Sequence, residues 1–224
     1  DINPSGKNDS IEGSFGIFSK YDIALTSHQI RIYDKAEKSV GVYASDNAFL
    51  NLGGGTIEIN GDTGATRASK NNTGIFLDGK GAVKSTGYVT VGGGLENTAI
   101  YAKGGTLPTG ATEHVNVQAV EATNTQDSVL VYGSNGAKIK IADSGSASLK
   151  HGLTMTGATV DSTVSTTNKK DTGAVYATGS GTEITLDRTA LPTAANISIT
   201  GAKLTDDEKF VGFAFMAADG AVVN

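Results

Sequence analysis

A short phrase returns along the whole chain. It reads small residue, β-branched residue, aromatic, small residue, then a polar or glycine turn. The clear copies are Ser39-Val40-Gly41-Val42-Tyr43-Ala44, Asn72-Thr73-Gly74-Ile75-Phe76-Leu77, Asn97-Thr98-Ala99-Ile100-Tyr101-Ala102, Ser128-Val129-Leu130-Val131-Tyr132-Gly133 and Thr172-Gly173-Ala174-Val175-Tyr176-Ala177. Weaker copies sit at Phe15-Gly16-Ile17-Phe18 and Gly212-Phe213-Ala214-Phe215-Met216. With the aromatic as a ruler, the marks fall at 18, 43, 76, 101, 132, 176 and 215, with intervals of 25, 33, 25, 31, 44 and 39. A repeat of this size marks a solenoid, in which each unit buries its apolar face only against its neighbours.

The segments after each copy decide the kind of solenoid. Ala48-Phe49-Leu50-Asn51-Leu52, Thr56-Ile57-Glu58-Ile59-Asn60, Ala137-Lys138-Ile139-Lys140-Ile141 and Thr182-Glu183-Ile184-Thr185-Leu186 alternate apolar and polar residues. That period of two is the pattern of strands with one buried face. Three short strands per coil, separated by Gly, Asn, Asp and Ser, predict a right-handed parallel β-helix. Inward residues are expected at Val42, Leu50, Leu52, Ile57, Ile59, Ile75, Ile100, Val131, Ile139, Ile141, Val175, Ile184 and Leu186. The two longest intervals each leave room for an unmarked coil, near Leu153-Thr154-Met155 and Ile197-Ser198-Ile199, which gives roughly eight to ten coils. A sandwich does not explain the recurring phrase, and a propeller needs longer blades with their own signature.

Composition agrees. Among 224 residues there are 30 glycines and no cysteine or tryptophan, and charged residues make up 18%. This is not the composition of a helical bundle, a coiled coil or a doubly wound α/β enzyme. The missing cysteine excludes disulfides and thiolate metal sites. A net charge of −5 with scattered Lys and Arg leaves no footprint for nucleic acid. No apolar run is long enough to span a bilayer as a helix, and the opening DINPSGKNDS has none of the pattern of a signal peptide.

The phrases Gly41-Val42-Tyr43-Ala44, Ala99-Ile100-Tyr101-Ala102 and Ala174-Val175-Tyr176-Ala177, each leading into a turn and an alternating strand, resemble the passenger domains of bacterial autotransporters. These are pertactin-like parallel β-helices of type V secretion. The resemblance covers the chain from about residue 13 to the end. It implies export across a Gram-negative envelope and display at the cell surface. The membrane attachment it implies is a C-terminal barrel, whose series of amphipathic strands is absent from this chain. Residues 1–224 are then expected as a single β-helix segment of a larger surface protein. The expected role is that of an adhesin or interaction scaffold. The expected partners are host or bacterial cell-surface proteins or glycans, with self-association a further option and no cofactor. A structural stalk carrying a distal domain is the alternative, and a carbohydrate-active β-helix enzyme the third reading.

Candidate sites follow from the phase of the repeat. If Val42 and Ala44 point inward, Tyr43 points outward, and Phe76, Tyr101, Tyr132 and Tyr176 stack beside it. Such a ladder is either a ligand-facing track or a structural stack covered by loops, and the opposite phase would make it an inward ladder. The longer loops, Gly61 to Asn72, Gly104 to His114, Asp161 to Asp171 and Asp187 to Asn196, are the other candidates, with Lys169 and Lys170 the most prominent charges. His28, His114 and His151 share no metal-ligand spacing. No nucleophile elbow, zinc-hydrolase motif or phosphate loop is present. The run Asp206-Asp207-Glu208 is expected as a solvated turn, and Asp143, Asp161 and Asp187 as single turn residues. An enzyme would instead need carboxylates from adjacent coils to meet in a groove.

Overall fold

Each copy of the phrase becomes one strand of a parallel sheet in the computed structural model. The structure describes residues 11–33, 35–60, 69–142, 151–159, 172–187, 193–200 and 212–224. The aromatic sheet contains Phe15–Ser19, Val40–Ala44, Thr73–Asp78, Thr98–Lys103, Val129–Ser134, Thr172–Thr178 and Gly212–Ala218, stacked in chain order. A second sheet holds Ile23–Ala24, Phe49–Asn51, Ala82–Lys84, Val115–Val117, Lys138–Ala142, Glu183–Asp187 and Val222–Val223. A third holds Ser27–Ile32, Gly54–Asn60, Tyr88–Gly92, Ala119–Thr123, His151–Thr159 and Thr193–Thr200. The chain visits the three sheets in turn, so each inner strand pairs with the strand one coil before and one coil after, and a short pair, Ile11–Glu12 with Ala36–Glu37, lies beside them. The fold is a parallel β-helix.

Its coil count differs from the expected eight to ten. Among the described residues the aromatic sheet marks seven turns. The segments at Leu153-Thr154-Met155 and Ile197-Ser198-Ile199 are not extra coils. They are third-sheet strands of the coils marked by Tyr132 and Tyr176, paired with each other through Leu153↔Ala195 and Met155↔Ile197. The long intervals reflect longer connections within a coil. The ruler also shifts at its last mark: Tyr176 pairs with Met216, and Phe215 lies opposite Val175.

Stacking brings like residues together in the core. Val42, Ile75, Ile100, Val131 and Val175 form one interior row, and Leu50, Val83, Val115, Ile139 and Ile184 another. All ten are at most 1% exposed. Of the expected inward positions, all are buried except Leu186, which is half-buried and packed against the core.

The small residue of the phrase also has a spatial cause. Strict alternation would turn Gly41, Gly74, Ala99, Leu130 and Ala174 outward, beside the aromatic. Instead these residues are buried next to the buried β-branched one. Two consecutive inward side chains crowd the third sheet. A Cβ on Gly74 would lie 2.7 Å from Val89 Cγ1 and 2.6 Å from the Ala99 carbonyl oxygen.

The corner before each aromatic strand is the second recurring device. Lys38, Asn71, Glu96 and Asp127 all adopt left-handed backbone angles, with φ from 49° to 56°. Their N–H groups donate along the axis to Lys70, Leu95, Gln126 and Thr159 carbonyls. That left-handed step turns the next residue, Ser39, Asn72, Asn97 or Ser128, into the interior. There the side chains replace missing backbone partners. Asn72 Oδ1 accepts from Ser39 N–H at 3.0 Å, Asn97 Oδ1 from Asn72 N–H at 2.9 Å, and Ser128 Oγ from Asn97 N–H at 3.1 Å. Asn72 and Asn97 both donate to Ser69 Oγ at 3.0 Å. These four buried side chains are tolerated because each finds a partner.

Replacing Asn97 by Ala leaves the buried Asn72 N–H without its acceptor and removes a donor to Ser69, at about 1–3 kcal/mol per orphaned group. Asn97→Ala is therefore expected to lower the unfolding free energy in urea by about 2–4 kcal/mol. The exposed Asn51→Ala should change it by less than about 0.5 kcal/mol. Gly74→Val is expected to destabilise by about 1–3 kcal/mol through overpacking, read from the same titration.

Candidate functional site

The aromatic row faces out, as the phase of the repeat requires. Tyr43, Phe76, Tyr101, Tyr132 and Tyr176 pair in register on consecutive coils, and each is half-buried. Phe18 extends the row by one coil through its pairing with Tyr43. Ring centroids of Phe76, Tyr101 and Tyr132 are 5.2 and 4.8 Å apart with interplanar angles of 14° and 18°. Tyr43 meets Phe76 edge-on at 5.3 Å, and Tyr176 meets Tyr132 edge-on at 5.4 Å. Such pairs contribute about 0.5–1.5 kcal/mol each beyond their burial. Phe213 caps the row against Tyr176 at 6.0 Å, although it pairs with Gly173 in register. A side chain on Gly173 would occupy the space of the Phe213 ring.

This geometry assigns the ladder a structural task and a surface task together. The central rings cover one another's faces, so they offer solvent their edges and the hydroxyls of Tyr101 and Tyr132. Two residues further along each strand runs a polar row, Asp78, Lys103, Ser134 and Thr178, also in register. The Tyr43 hydroxyl donates to Asp78 Oδ2 at 2.6 Å. Burial, and then this bond to a carboxylate, push the Tyr43 phenol up to about 12.

The corner after the aromatic strand is where the coils stop being alike. Coils two, five and seven cross it in tight turns closed by Ala48 N–H to Ser45 O, Ala137 N–H to Ser134 O and Ala221 N–H to Ala218 O. Their central residues, Asp46-Asn47, Asn135-Gly136 and Asp219-Gly220, are left-handed. Coil four instead inserts the segment from Gly104 to Glu113. Gly105 lies so close to the coil below that a Cβ on it would sit 1.9 Å from the Gly79 carbonyl oxygen. A cavity of about 580 Å³ opens there, lined by Asp46, Asn47, Gly79, Lys80, Gly105 and Thr106.

His114 closes the insertion. It was expected as a loop end but is 1% exposed. Its Nδ1 accepts from the Lys138 N–H at 3.0 Å, and its Nε2 faces both the Gly105 N–H at 3.1 Å and the Gly105 carbonyl oxygen at 3.2 Å. Burial, aided by the nearby Lys138 charge, lowers its pKa, while the bond to Gly105 opposes the shift. Asn72, the other expected loop end, is also interior.

The remaining candidates divide by position. Lys169, Lys170, Asp143, Asp161 and the run Asp206-Asp207-Glu208 lie outside the described residues. His28 lies on the third sheet and His114 just before a second-sheet strand, three coils apart. Asp187 is a strand end rather than a turn residue and pairs with Lys140 at 3.0 Å. A smaller groove of about 280 Å³ on the second sheet brings Glu113 and Glu183 toward Lys138 and Lys140. Its carboxylates already have neutral partners, Asn116 at 3.3 Å for Glu113 and Asn224 at 2.7 Å for Glu183.

No family model, curated protein or solved structure matches the chain.

Two titrations report on the site. Folding favours neutral His114, so its contribution is complete above pH 6.5, the unfolded value, and is lost as pH falls through the lower folded value. Thermal midpoints are expected to drop below pH 6.5, with a flatter profile in His114→Gln. The Tyr43 contribution is present below pH 10 and lost between 10 and about 12. Phenolate absorbance should show a tyrosine titrating at about 12 that Tyr43→Phe removes, while the upward-shifted Tyr101 remains.

Proposed function

We propose that the chain is an interaction scaffold displayed at the surface of a Gram-negative bacterium, an adhesin module that engages host or neighbouring-cell ligands without catalysis. One observation carries this reading. The outer face of the aromatic sheet keeps a continuous amphipathic strip, from Phe18 through Tyr176, beside a polar row in which Asp78 and Lys103 are exposed, Thr178 is half-buried and Ser134 is buried. Tyrosine edges next to mixed charges are the composition of recognition surfaces, where amphipathic rings give contact area at small entropic cost. The second and third sheets present ordinary solvated faces, such as the Arg31–Glu58 pair at 2.9 Å.

The solenoid also suits display. Each coil is held only by its neighbours, so the rod can be extended without a new core, and folding can propagate from one end. A resemblance to autotransporter passengers supplies the location, and the strip supplies the work done there.

The test is adherence of cells displaying the full-length protein. Tyr101→Phe with Tyr132→Phe keeps the ring stack and removes two outward hydroxyls, and Lys103→Glu inverts the neighbouring charge. The triple variant is expected to adhere roughly tenfold less well, the loss of about 1.4 kcal/mol at a contact surface. Circular dichroism and thermal midpoint should stay near the parent values. Unchanged adherence by a folded triple variant would remove the coil face as the binding surface. Absence of adherence in the parent would favour a stalk.

A further inference from the structure

A repeat protein that departs from its repeat at one coil has a reason other than the coil. The insertion from Gly104 to Glu113 is such a departure, because coils two, five and seven turn the same corner in four residues. Nor does the insertion hang free. It is laid on coil three at Gly79 and Gly105, closed on itself by Ala111 N–H to Pro108 O at 3.1 Å, and tied at its foot by the buried His114. A buried histidine with both ring nitrogens bonded to backbone is an expensive anchor for a surface loop, and it makes that loop a fixed wall.

The space behind the wall is furnished with unused hydrogen-bonding groups. The left-handed angles of Asp46 and Asn47, 55° and 68°, place both side chains at the exposed tip of the coil-two turn. Asp46 is engaged by Lys20 at 3.4 Å. The Asn47 backbone N–H donates to the Lys80 carbonyl, but the Asn47 side-chain amide, the Lys80 ammonium and the Thr106 hydroxyl have no hydrogen bond or ion pair with any described residue. With Asp46 partly neutralised by Lys20, Lys80 is the uncompensated charge. The volume of about 580 Å³ falls inside the ~300–1,000 Å³ of small-molecule sites.

We infer that this corner cavity binds an acidic saccharide unit, its carboxylate on Lys80 and its hydroxyls on Asp46, Asn47 and Thr106. The chemistry selects this class. A dianionic phosphate is best held by several cations or N–H donors, and the cavity sets one ammonium beside the Asp46 carboxylate, which suits a single negative charge better. A peptide side chain would need an apolar pocket, and no bulky apolar side chain lines this one. A neutral sugar usually lies on an exposed ring face, and the central rings of the adjacent ladder cover one another. An amide, a hydroxyl, a carboxylate and one cation match a polyol with one negative charge. His114 is a positioning residue here, since it holds Gly105 and touches no ligand. The inference rests on the surface-display reading for its setting but not for its geometry.

The experiment is saturation-transfer NMR on the full chain with sialyl-lactose as the probe and lactose as its uncharged counterpart. Transfer to sialyl-lactose is expected, with weak or no transfer to lactose. Lys80→Ala should weaken binding at least roughly tenfold, and Thr106→Val less. Lys84→Ala, on the outer face of the second sheet, should bind as the parent does. Because Lys80 is exposed, its loss leaves the fold intact, which the thermal midpoint checks. Equal transfer to both sugars, no transfer to either, or unchanged binding in Lys80→Ala overturns the site. Saccharide binding without adherence of displaying cells would fail the adhesin reading alone, and adherence without saccharide binding would fail this site alone.

Discussion

Among the described residues, each inner strand of the three long sheets finds its hydrogen-bond partners one coil above and one coil below. That single constraint organises the rest. A parallel in-register stack forces equivalent positions of successive coils into contact, so an interior residue must suit its own counterparts. Aliphatic rows do this by packing. The corner row Ser39, Asn72, Asn97 and Ser128 does it by bonding side chain to backbone along the axis. The left-handed residue before each of them is what aims the polar side chain inward, and its axial N–H bond holds it in that conformation.

The same constraint explains why the outer surface is readable as function. On a regular rod, repetition accounts for most side chains, and what repetition does not require stands out. The aromatic ladder is required in part, because stacked rings stiffen the sheet, yet it leaves edges and hydroxyls at the surface. The insertion of coil four is not required at all. Its anchoring at Gly105 and His114 turns an irregular loop into a defined wall, and the cavity lies where that wall meets the turns of two ordinary coils.

Much of this was legible in the residues. The phrase ending in Tyr43, Phe76, Tyr101, Tyr132 and Tyr176 predicted both the coil and the outward ladder, because period-two alternation is a local property of a strand. The count of coils was not legible. Leu153-Thr154-Met155 alternates like any strand, and only its pairing partners, Val120-Glu121-Ala122, show that it belongs to the third sheet. The last mark moved from Phe215 to Met216 for a similar reason: register is a relation between strands. Asn72 and His114 read as loop ends, because polarity alone does not reveal a buried partner.

The sequence by itself determined the parallel β-helix, its core positions and its outward aromatic row, since all three follow from spacing and alternation within one strand or one repeat. Only the tertiary structure decided the number of turns, the interior polar row and the corner cavity. Those depend on which groups from different coils come within hydrogen-bonding distance, and no single stretch of chain carries that information.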